Sequence, residues 1–265
     1  MKYDLFVTDF DGTLGSLPDD IEPQTVLAIK EYIQRGGKFV ICTGRMAGSV
    51  KLIYDKYNLS GIAIANQGAV IDDMDSGKRI FEGGLDYKLS AKISREIIDE
   101  GFPVCASFKE GIYCEVDTPY IEFYRKYEKI IKVDNLPKKL ISMQRPVQKL
   151  VAVGLPERIK TLTEKYQKIY FGKALFNNGA DHLTEIINPS YDKGSAVKFL
   201  ANYFNIPYDK IITVGDSNND LSLINGKWHG VAVGDAKIEL KKVAKEITVP
   251  FKENPIKYLL EKYCL

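Results

Sequence analysis

The strongest constraint on the fold is an alternation of strand and helix patterns that fills the first and last thirds of the chain. It starts with the apolar run 5–7 and a helical pattern over 23–37. The strand KFVICT, a helix near 49–57 and the strand IAIAN follow. From residue 193 the alternation of strand and helix patterns resumes, with strands KIITVGD, GVAVGD and ITV between helical patterns. Repeated strand–helix–strand units favour a parallel sheet with right-handed crossovers, so we predict an α/β, Rossmann-like core.

The middle of the chain breaks this alternation. It holds short strand patterns and three helical patterns, near 90–100, 120–129 and 157–168. We therefore predict a core formed by residues 1–79 and 188–265, with an α+β domain, 80–187, inserted between its halves. Because no glycine–serine linker or low-complexity tract separates the two, the crossings near 80 and 188 are expected to be short hinges.

Composition narrows the class of protein. Lys plus Arg number 37 against 35 Asp plus Glu, and this net charge of +2 gives no indication of nucleic-acid or membrane binding. No window nears the roughly 18 apolar residues of a transmembrane helix, and MKYDLFVTD does not resemble a signal peptide. Cys42, Cys105, Cys114 and Cys264 form no CxxC pair, so we expect reduced thiols in a cytoplasmic protein.

Polar side chains stand where three of the predicted core strands end. Asp9 and Asp11 follow the first strand, Thr43 follows the second, and Asp216 and Asp220 follow a strand of the last third. The carboxyl ends of parallel strands meet at one edge of a sheet, so these residues are expected to lie together. Clustered carboxylates favour an accompanying cation, and oxygen ligands without a nearby His or Cys favour Mg²⁺.

Hydrogen-bond donors are predicted at the same edge. Thr43, Lys193 and the amides of the glycine-bearing loops would face it, and donors beside a divalent cation form a receptor for phosphate. Each residue also has a purely structural interpretation. Asp9 and Asp11 could form a solvated strand-end turn, Asp216 and Asp220 could cap a helix, and Thr43 and Lys193 could bond locally or to water.

Together, "DFDGT", "TGR", the "DKG" lysine and "GDSNND" resemble, in order and spacing, the haloacid dehalogenase superfamily. The resemblance is closest to its Cof-like phosphatases and extends over the whole chain, with the insert similar to that branch's α/β cap. It implies that Asp9 is the nucleophile that forms an aspartyl-phosphate and that Asp11 is the general acid and base. The phosphate-binding residues it implies are Thr43, Gly44, Lys193 and Asn219. The Mg²⁺ ligands it implies are Asp9, Asp11 through its carbonyl, Asp216 and Asp220.

The resemblance leads us to expect a Mg²⁺-dependent phosphatase for a small phosphorylated metabolite, such as a sugar phosphate or a phosphorylated cofactor. A phosphomutase and a non-catalytic phosphometabolite sensor are the alternatives. Family members usually read Asn-Gly-Ala where this chain reads Asn66-Gln67-Gly68-Ala69, so either Asn66 or Gln67 could contact substrate. Whether Asn219 or Asp220 completes the metal coordination, which substrate is used, and the oligomeric state stay open.

Overall fold

The computed structural model describes residues 1–16 and 20–265, which form two compact units. One unit comprises Met1–Ile80 with Asp192–Leu265, and the other is Phe81–Tyr191. The chain returns to the first unit after Tyr191, four residues beyond the expected boundary at 187. Residues 188–191 stay with the second unit because the Asn188 amide donates to the Gly84 carbonyl (2.8 Å) and the Tyr191 N–H donates to the Asn188 carbonyl (3.2 Å).

Strands and helices are numbered in chain order. The strands are β1 (Leu5–Thr8), β2 (Lys38–Cys42), β3 (Ile62–Ala65), β4 (Val70–Asp73), β5 (Arg79–Glu82), β6 (Val104–Phe108), β7 (Gly111–Cys114), β8 (Ile130–Lys132), β9 (Lys149–Val153), β10 (Leu175–Ala180), β11 (Leu183–Ile187), β12 (Ile211–Gly215), β13 (His229–Ala232) and β14 (Glu246–Ile247). The α-helices are α1 (Pro23–Gln34), α2 (Ala47–Tyr57), α3 (Tyr87–Asp99), α4 (Pro119–Tyr124), α5 (Leu136–Met143), α6 (Pro156–Ile169), α7 (Lys193–Phe204), α8 (Leu221–Ile224), α9 (Ile238–Val243) and α10 (Pro255–Tyr263). Short 3₁₀ helices span Asn66–Gly68, Tyr208–Lys210, Asn218–Asp220 and Phe251–Glu253.

The first unit is organised by an eight-stranded sheet with the order β14-β13-β12-β1-β2-β3-β4-β5. Neighbouring strands from β14 to β3 pair in parallel, and β4 is antiparallel to β3. Every residue of β1, β3 and β12 is buried, as expected for parallel strands covered on both faces. The predicted α/β class with a parallel core is confirmed.

Local sequence signals explain the helices of this unit. In α1, the Glu22 side chain accepts the Thr25 N–H at the N-terminus and Pro23 occupies the first turn, where a missing N–H costs little. The helix ends at Gln34, Arg35 is its C-terminal cap, and Gly36 follows with φ +91°. In α2, Asn58 ends the helix in the left-handed conformation. These ends turn each chain segment back toward the next strand of the sheet.

The second unit is a six-stranded sheet with the order β10-β11-β9-β6-β7-β8. Its pairs are antiparallel except for β7 with β8. Residues from α3, α5 and α6 form one hydrophobic core with alternate residues of the strands, including Val104, Ala106, Leu150, Ala152 and Ile186. The intervening strand residues, such as Cys105 and Val151, therefore point to the opposite face. The unit is α+β, as the sequence predicted.

The insert differs from the sequence-based prediction in its details. The helix predicted over 120–129 ends at Tyr124, and residues 130–132, for which no element was predicted, form β8. The reason is tertiary, since the Ile112 N–H donates to the Lys129 carbonyl (2.8 Å) and draws the following residues into the sheet. β6 and α5 were not predicted. In residues 1–16 and 20–265, no helix combines the length and apolar character needed to cross a membrane.

Candidate active site

The loop after β1 turns sharply at the strand end, where it carries the buried Asp9 and the half-exposed Asp11. The Phe10 carbonyl accepts the N–H groups of Thr13, Leu14 and Gly15 at 2.9–3.3 Å, which closes the turn. Gly12 lies within it at φ +83°, and a β-carbon there would be 2.9 Å from Oδ2 of Asp216. Glycine is therefore required, both for the left-handed backbone and for the close approach of the carboxylate.

Lys193 is the first residue of α7, and two contacts hold it in position. The Asp192 side chain accepts the Ser195 N–H at 2.7 Å while the Ser195 hydroxyl is bonded to the Asp192 backbone, a reciprocal cap that fixes the start of the helix. Gly68, at φ +101°, packs against the backbone of Asp192. A β-carbon at position 68 would lie only 2.1 Å from the Asp192 carbonyl oxygen. These contacts fix the backbone position from which the Lys193 side chain extends into the first unit.

The Lys193 ammonium joins two carboxylates inside the protein. It donates to Oδ1 of Asp9 and to Oδ1 of Asp220, each at 2.6 Å. The relative exposure of Lys193 is 1%, that of Asp9 is 4% and that of Asp220 is 0%. This geometry orients the Asp9 carboxylate from β1 against a lysine that lies 184 residues away along the chain.

Burial and crowding set the electrostatics of this cluster. Burial raises the pKa of Asp9 well above its usual range, against the opposing effect of the Lys193 ammonium. Burial also raises the pKa of Asp216, and the neighbouring Asp220 charge adds to it. For Lys193, burial works to lower the pKa, but the carboxylates of Asp220 and Asp9 outweigh burial and raise it. The cluster thus contains one ammonium group, that of Lys193, and three carboxyl groups. A further cation would compensate the excess negative charge.

Asp216 and Asp220 occupy different positions in the loop after β12. Oδ2 of Asp220 accepts the N–H groups of Asp216 and Ser217, both at 3.1 Å, so this carboxylate closes the loop. Asp216 is less buried and accepts the Thr13 hydroxyl at 3.1 Å. The carboxylates of Asp9, Asp216 and Asp220 offer one oxygen each within 4.8 Å of one another. A set of hard oxygen donors at this spacing fits a divalent cation such as Mg²⁺.

The Asp11 carboxylate lies outside that three-carboxylate group and forms an ion pair with Arg45. The Arg45 guanidinium donates to its two oxygens at 2.9 and 2.7 Å, and also lies over the Phe10 ring at 4.7 Å from the centroid. The Asp11 side chain is half exposed. Arg45 belongs to the "TGR" motif, and no role was predicted for it; its place directly after a strand that ends at the site is the signal that indicates one.

The loops after β2 and β3 are bonded to each other. The Thr43 carbonyl accepts the Gln67 N–H at 3.1 Å, and the Arg45 carbonyl accepts the Asn66 N–H at 2.8 Å. The Thr43 hydroxyl accepts the Arg45 N–H at 3.2 Å. Asn66 and Gln67 both have left-handed backbones, with φ of +48° and +59°. The Gln67 carboxamide lies against Gly44, where a β-carbon would be 2.4 Å from its nitrogen.

Asn219 is exposed within the 3₁₀ helix Asn218–Asp220, and its Oδ1 accepts the Ser217 hydroxyl at 2.6 Å. The structure therefore brings Asp9, Lys193, Asp216 and Asp220 into one cluster. Asp11 and Asn219 have their side chains engaged with other partners. Thr13, which bonds Asp216, was not singled out by sequence reasoning.

The sheet order and the carboxylate–lysine cluster together define a class of α/β protein, one with a parallel sheet and an acidic site at the carboxyl ends of its strands. The chain matches the family model of the haloacid dehalogenase-like hydrolases over residues 6–260, and it belongs to that family. The predicted family and the prediction of an enzyme are confirmed. A solved haloacid dehalogenase-like hydrolase from Bacteroides thetaiotaomicron superposes with a TM-score of 0.87 over 98% of this chain and 99% of that one, at 21% identity.

Curated relatives match along nearly the whole chain. The 5-amino-6-(5-phospho-D-ribitylamino)uracil phosphatase of Bacillus subtilis is 26% identical over 280 residues, covering 96% of each protein. A second B. subtilis relative, phosphatase YwpJ, is 22% identical over 283 residues and covers 97% of this chain and 98% of its own length. Within the hydrolase family, the enzyme class is thus phosphatase.

Proposed function

We propose that this protein is a Mg²⁺-dependent phosphatase that hydrolyses a small phosphorylated metabolite through an aspartyl-phosphate on Asp9. The observation that carries the proposal is the orientation of Asp9, which follows β1 and has one oxygen fixed by the buried Lys193 at 2.6 Å. The other oxygen, on the side of Asp216, is proposed to attack phosphorus. Formation of the aspartyl-phosphate splits one difficult hydrolysis into two displacements.

Approach of a carboxylate to a phosphate dianion requires positive charge beside the phosphoryl oxygens. Lys193 supplies one charge of this kind. The oxygens of Asp9, Asp216 and Asp220, with the Asp11 carbonyl, are proposed to hold Mg²⁺, which when bound would neutralise the phosphoryl group. The raised pKa values of Asp9 and Asp216 support this assignment, since they reflect carboxylates crowded in a buried site.

Asp11 is proposed as the general acid that protonates the leaving oxygen and as the base that then activates water. The Asp11 side chain is half exposed to solvent while it is paired with Arg45. This exposure supports a role for Asp11 at the solvent side of the carboxylate cluster, where a leaving group would be protonated. A substrate that displaces or shares this arginine would free the carboxyl group to transfer a proton. Thr43, Gly44 and Asn219 are proposed to complete the phosphate-binding loops.

The proposed substrate is a sugar phosphate or a phosphorylated cofactor, in the cytoplasm. The relative named for a phosphorylated ribitylamino compound supports this class. Residues 80–187 are proposed to form the cap domain that selects among leaving groups, because the cluster that would perform the phosphoryl chemistry lies in the first unit.

The experiment is chemical trapping of the intermediate. After brief exposure of the protein to substrate with Mg²⁺, borohydride should reduce an aspartyl-phosphate at position 9 to homoserine, which peptide mapping detects. Asp9→Asn should abolish both trapping and phosphate release, while the matched variant Asp235→Asn, on the loop after β13, should retain both. Turnover by Asp9→Asn above a few per cent of wild type, or homoserine at another aspartate, would overturn the proposed nucleophile.

A further inference from the structure

Two cysteines face each other across adjacent strands of the second unit. Cys105 in β6 and Cys114 in β7 are register partners in an antiparallel pair, and both are free thiols with 1% and 0% exposure. The strands are joined by a two-residue turn, Lys109 and Glu110. Since Ala106 and Tyr113 point into the hydrophobic core, the two cysteines share the opposite face of the sheet.

The hydrogen bonds around this pair determine its geometry. The Cys114 carbonyl accepts the Val133 N–H (3.0 Å), so it points toward β8 rather than β6. The Ser107 carbonyl accepts the Gln148 N–H (3.2 Å) and so points away from β7. Cys105 lies two residues earlier on the same strand, so its backbone N–H and carbonyl point in the same direction as those of Ser107. Cys105 and Cys114 are therefore a non-hydrogen-bonded cross-strand pair, with α-carbons about 4.5 Å apart. That separation lies within the roughly 4.4–6.8 Å that a disulfide spans.

A positive charge lies on one side of the pair. Lys132 in β8 is the register partner of Cys114, is partly exposed, and forms an ion pair with Asp117 at 2.8 Å. Burial raises the pKa of Cys114, whereas the Lys132 ammonium opposes that rise. Burial also raises the pKa of Cys105, and the neighbouring Cys114 adds to the effect. The Lys132 ammonium acts on both thiols, and its register pairing with Cys114 makes Cys114 the thiol assigned to react first. Both thiols are buried, so the second unit must open locally for a small oxidant to reach them.

We propose that Cys105 and Cys114 form a reversible dithiol–disulfide pair. This pair is a modification site, at which a hydroperoxide oxidises the two thiols to a disulfide. The Cys114 thiolate attacks the peroxide oxygen, the O–O bond breaks, and Cys114 becomes a sulfenic acid. The Cys105 sulfur then attacks the Cys114 sulfur, the S–O bond breaks, and the released hydroxide leaves as water with the Cys105 proton. The two thiols lose two electrons and two protons, and the hydroperoxide is reduced to water and an alcohol, or to two waters when it is hydrogen peroxide.

The sequence makes the product easy to detect. Trypsin cleaves after Lys109, within the turn, so Cys105 falls in peptide 96–109 and Cys114 in peptide 110–125. Treatment of the folded full-length protein with hydrogen peroxide should produce a disulfide-linked 96–109/110–125 peptide and a loss of two hydrogen masses, both reversed by dithiothreitol. Cys42→Ser and Cys264→Ser should give the same linked peptide.

Single substitutions test the order of events. Cys105→Ser should accumulate a dimedone-reactive sulfenic acid at Cys114, whereas Cys114→Ser should slow oxidation of Cys105 by about tenfold or more. Absence of the linked peptide in folded protein, or its formation only in denaturant, would overturn the proposal. Faster sulfenic acid formation on Cys105 in Cys114→Ser than on Cys114 in Cys105→Ser would overturn the assigned roles. Alanine variants at both positions would repeat the comparison if a serine variant unfolds.

Discussion

Replacement of Lys193 by methionine tests the buried cluster most directly. The substitution keeps an unbranched side chain of similar length and removes the ammonium that donates to Asp9 and Asp220 at 2.6 Å each. Both carboxylates would remain buried without that partner. Asp220 keeps two backbone N–H donors, while Asp9 loses the contact that fixes its Oδ1.

Two estimates give the size of the expected destabilisation. Two charge-assisted hydrogen bonds at about 1.5–3 kcal/mol each sum to roughly 3–6 kcal/mol. Removal of one partner from a buried ion pair costs about 3–5 kcal/mol, because the remaining charge is left uncompensated. We therefore expect Lys193→Met to lower the free energy of unfolding of the first unit by about 3–5 kcal/mol, a large share of the roughly 5–15 kcal/mol typical of a domain.

Urea unfolding followed by tryptophan fluorescence provides the assay. Trp228 is the only tryptophan in the sequence, is buried in the first unit, and donates to the Leu223 carbonyl at 2.6 Å. Its signal therefore reports the unit that contains Lys193. Lys149→Met is the matched control, since Lys149 is an equally buried lysine paired with Glu185 in the second unit. That control should change the Trp228 transition by less than about 0.5 kcal/mol.

Magnesium should restore part of the stability of Lys193→Met, because a cation bound by the carboxylates replaces some of the lost positive charge. Asp220→Asn and the double variant complete a thermodynamic cycle, with a coupling of about 0.5–3 kcal/mol expected for groups in one network. A loss below about 1 kcal/mol for Lys193→Met, together with additive effects in the double variant, would show that the lysine does not stabilise the buried carboxylates.

Three further predictions concern other contacts of the first unit. Arg45→Met should lower kcat for a sugar phosphate more than for p-nitrophenyl phosphate, because it removes the guanidinium that positions the Asp11 carboxyl group before substrate binds, with Arg45→Lys intermediate; equal kcat losses would refute this. Gly68→Ala should destabilise by roughly 1–3 kcal/mol and lower kcat, whereas Gly36→Ala, at a similar φ with open space, should retain kcat in the same assay. Glu246 accepts from Lys262, Tyr263 and a histidine ring, and these bonds outweigh burial to lower its pKa. Its stabilisation is therefore complete above pH 4.5, its usual pKa, and is lost as pH falls through the folded pKa, so the Tm difference between wild type and Glu246→Gln should shrink in acid.

The convergence of the acidic residues could be predicted from sequence because it depends on topology alone. Once β1 and β12 are parallel neighbours, Asp9 and Asp216 follow their carboxyl ends at the same edge of the sheet. The contact between Gly68 and the Asp192 carbonyl could not be predicted in this way. It depends on the rotation of a left-handed loop against the start of a helix more than a hundred residues later, and no local propensity encodes that distance. For the same reason β8 was not predicted, since its pairing with β7 is a tertiary contact.

Asp216 and Asp220 show why the spacing of acidic residues does not by itself assign their roles. In "GDSNND" both acids could cap the following helix or bind a cation. The structure distinguishes them by the hydrogen bonds already made. Asp220 uses Oδ1 for Lys193 and Oδ2 for two amides of its own loop, so its main contribution is to fix the loop and the lysine. Asp216 accepts the Thr13 hydroxyl on Oδ1, and its Oδ2 lies against Gly12, where only the absence of a side chain permits the approach. Gly12 thus allows the β1 loop to approach Asp216, which lies in one carboxylate cluster with Asp9, a relation that neither motif reveals alone.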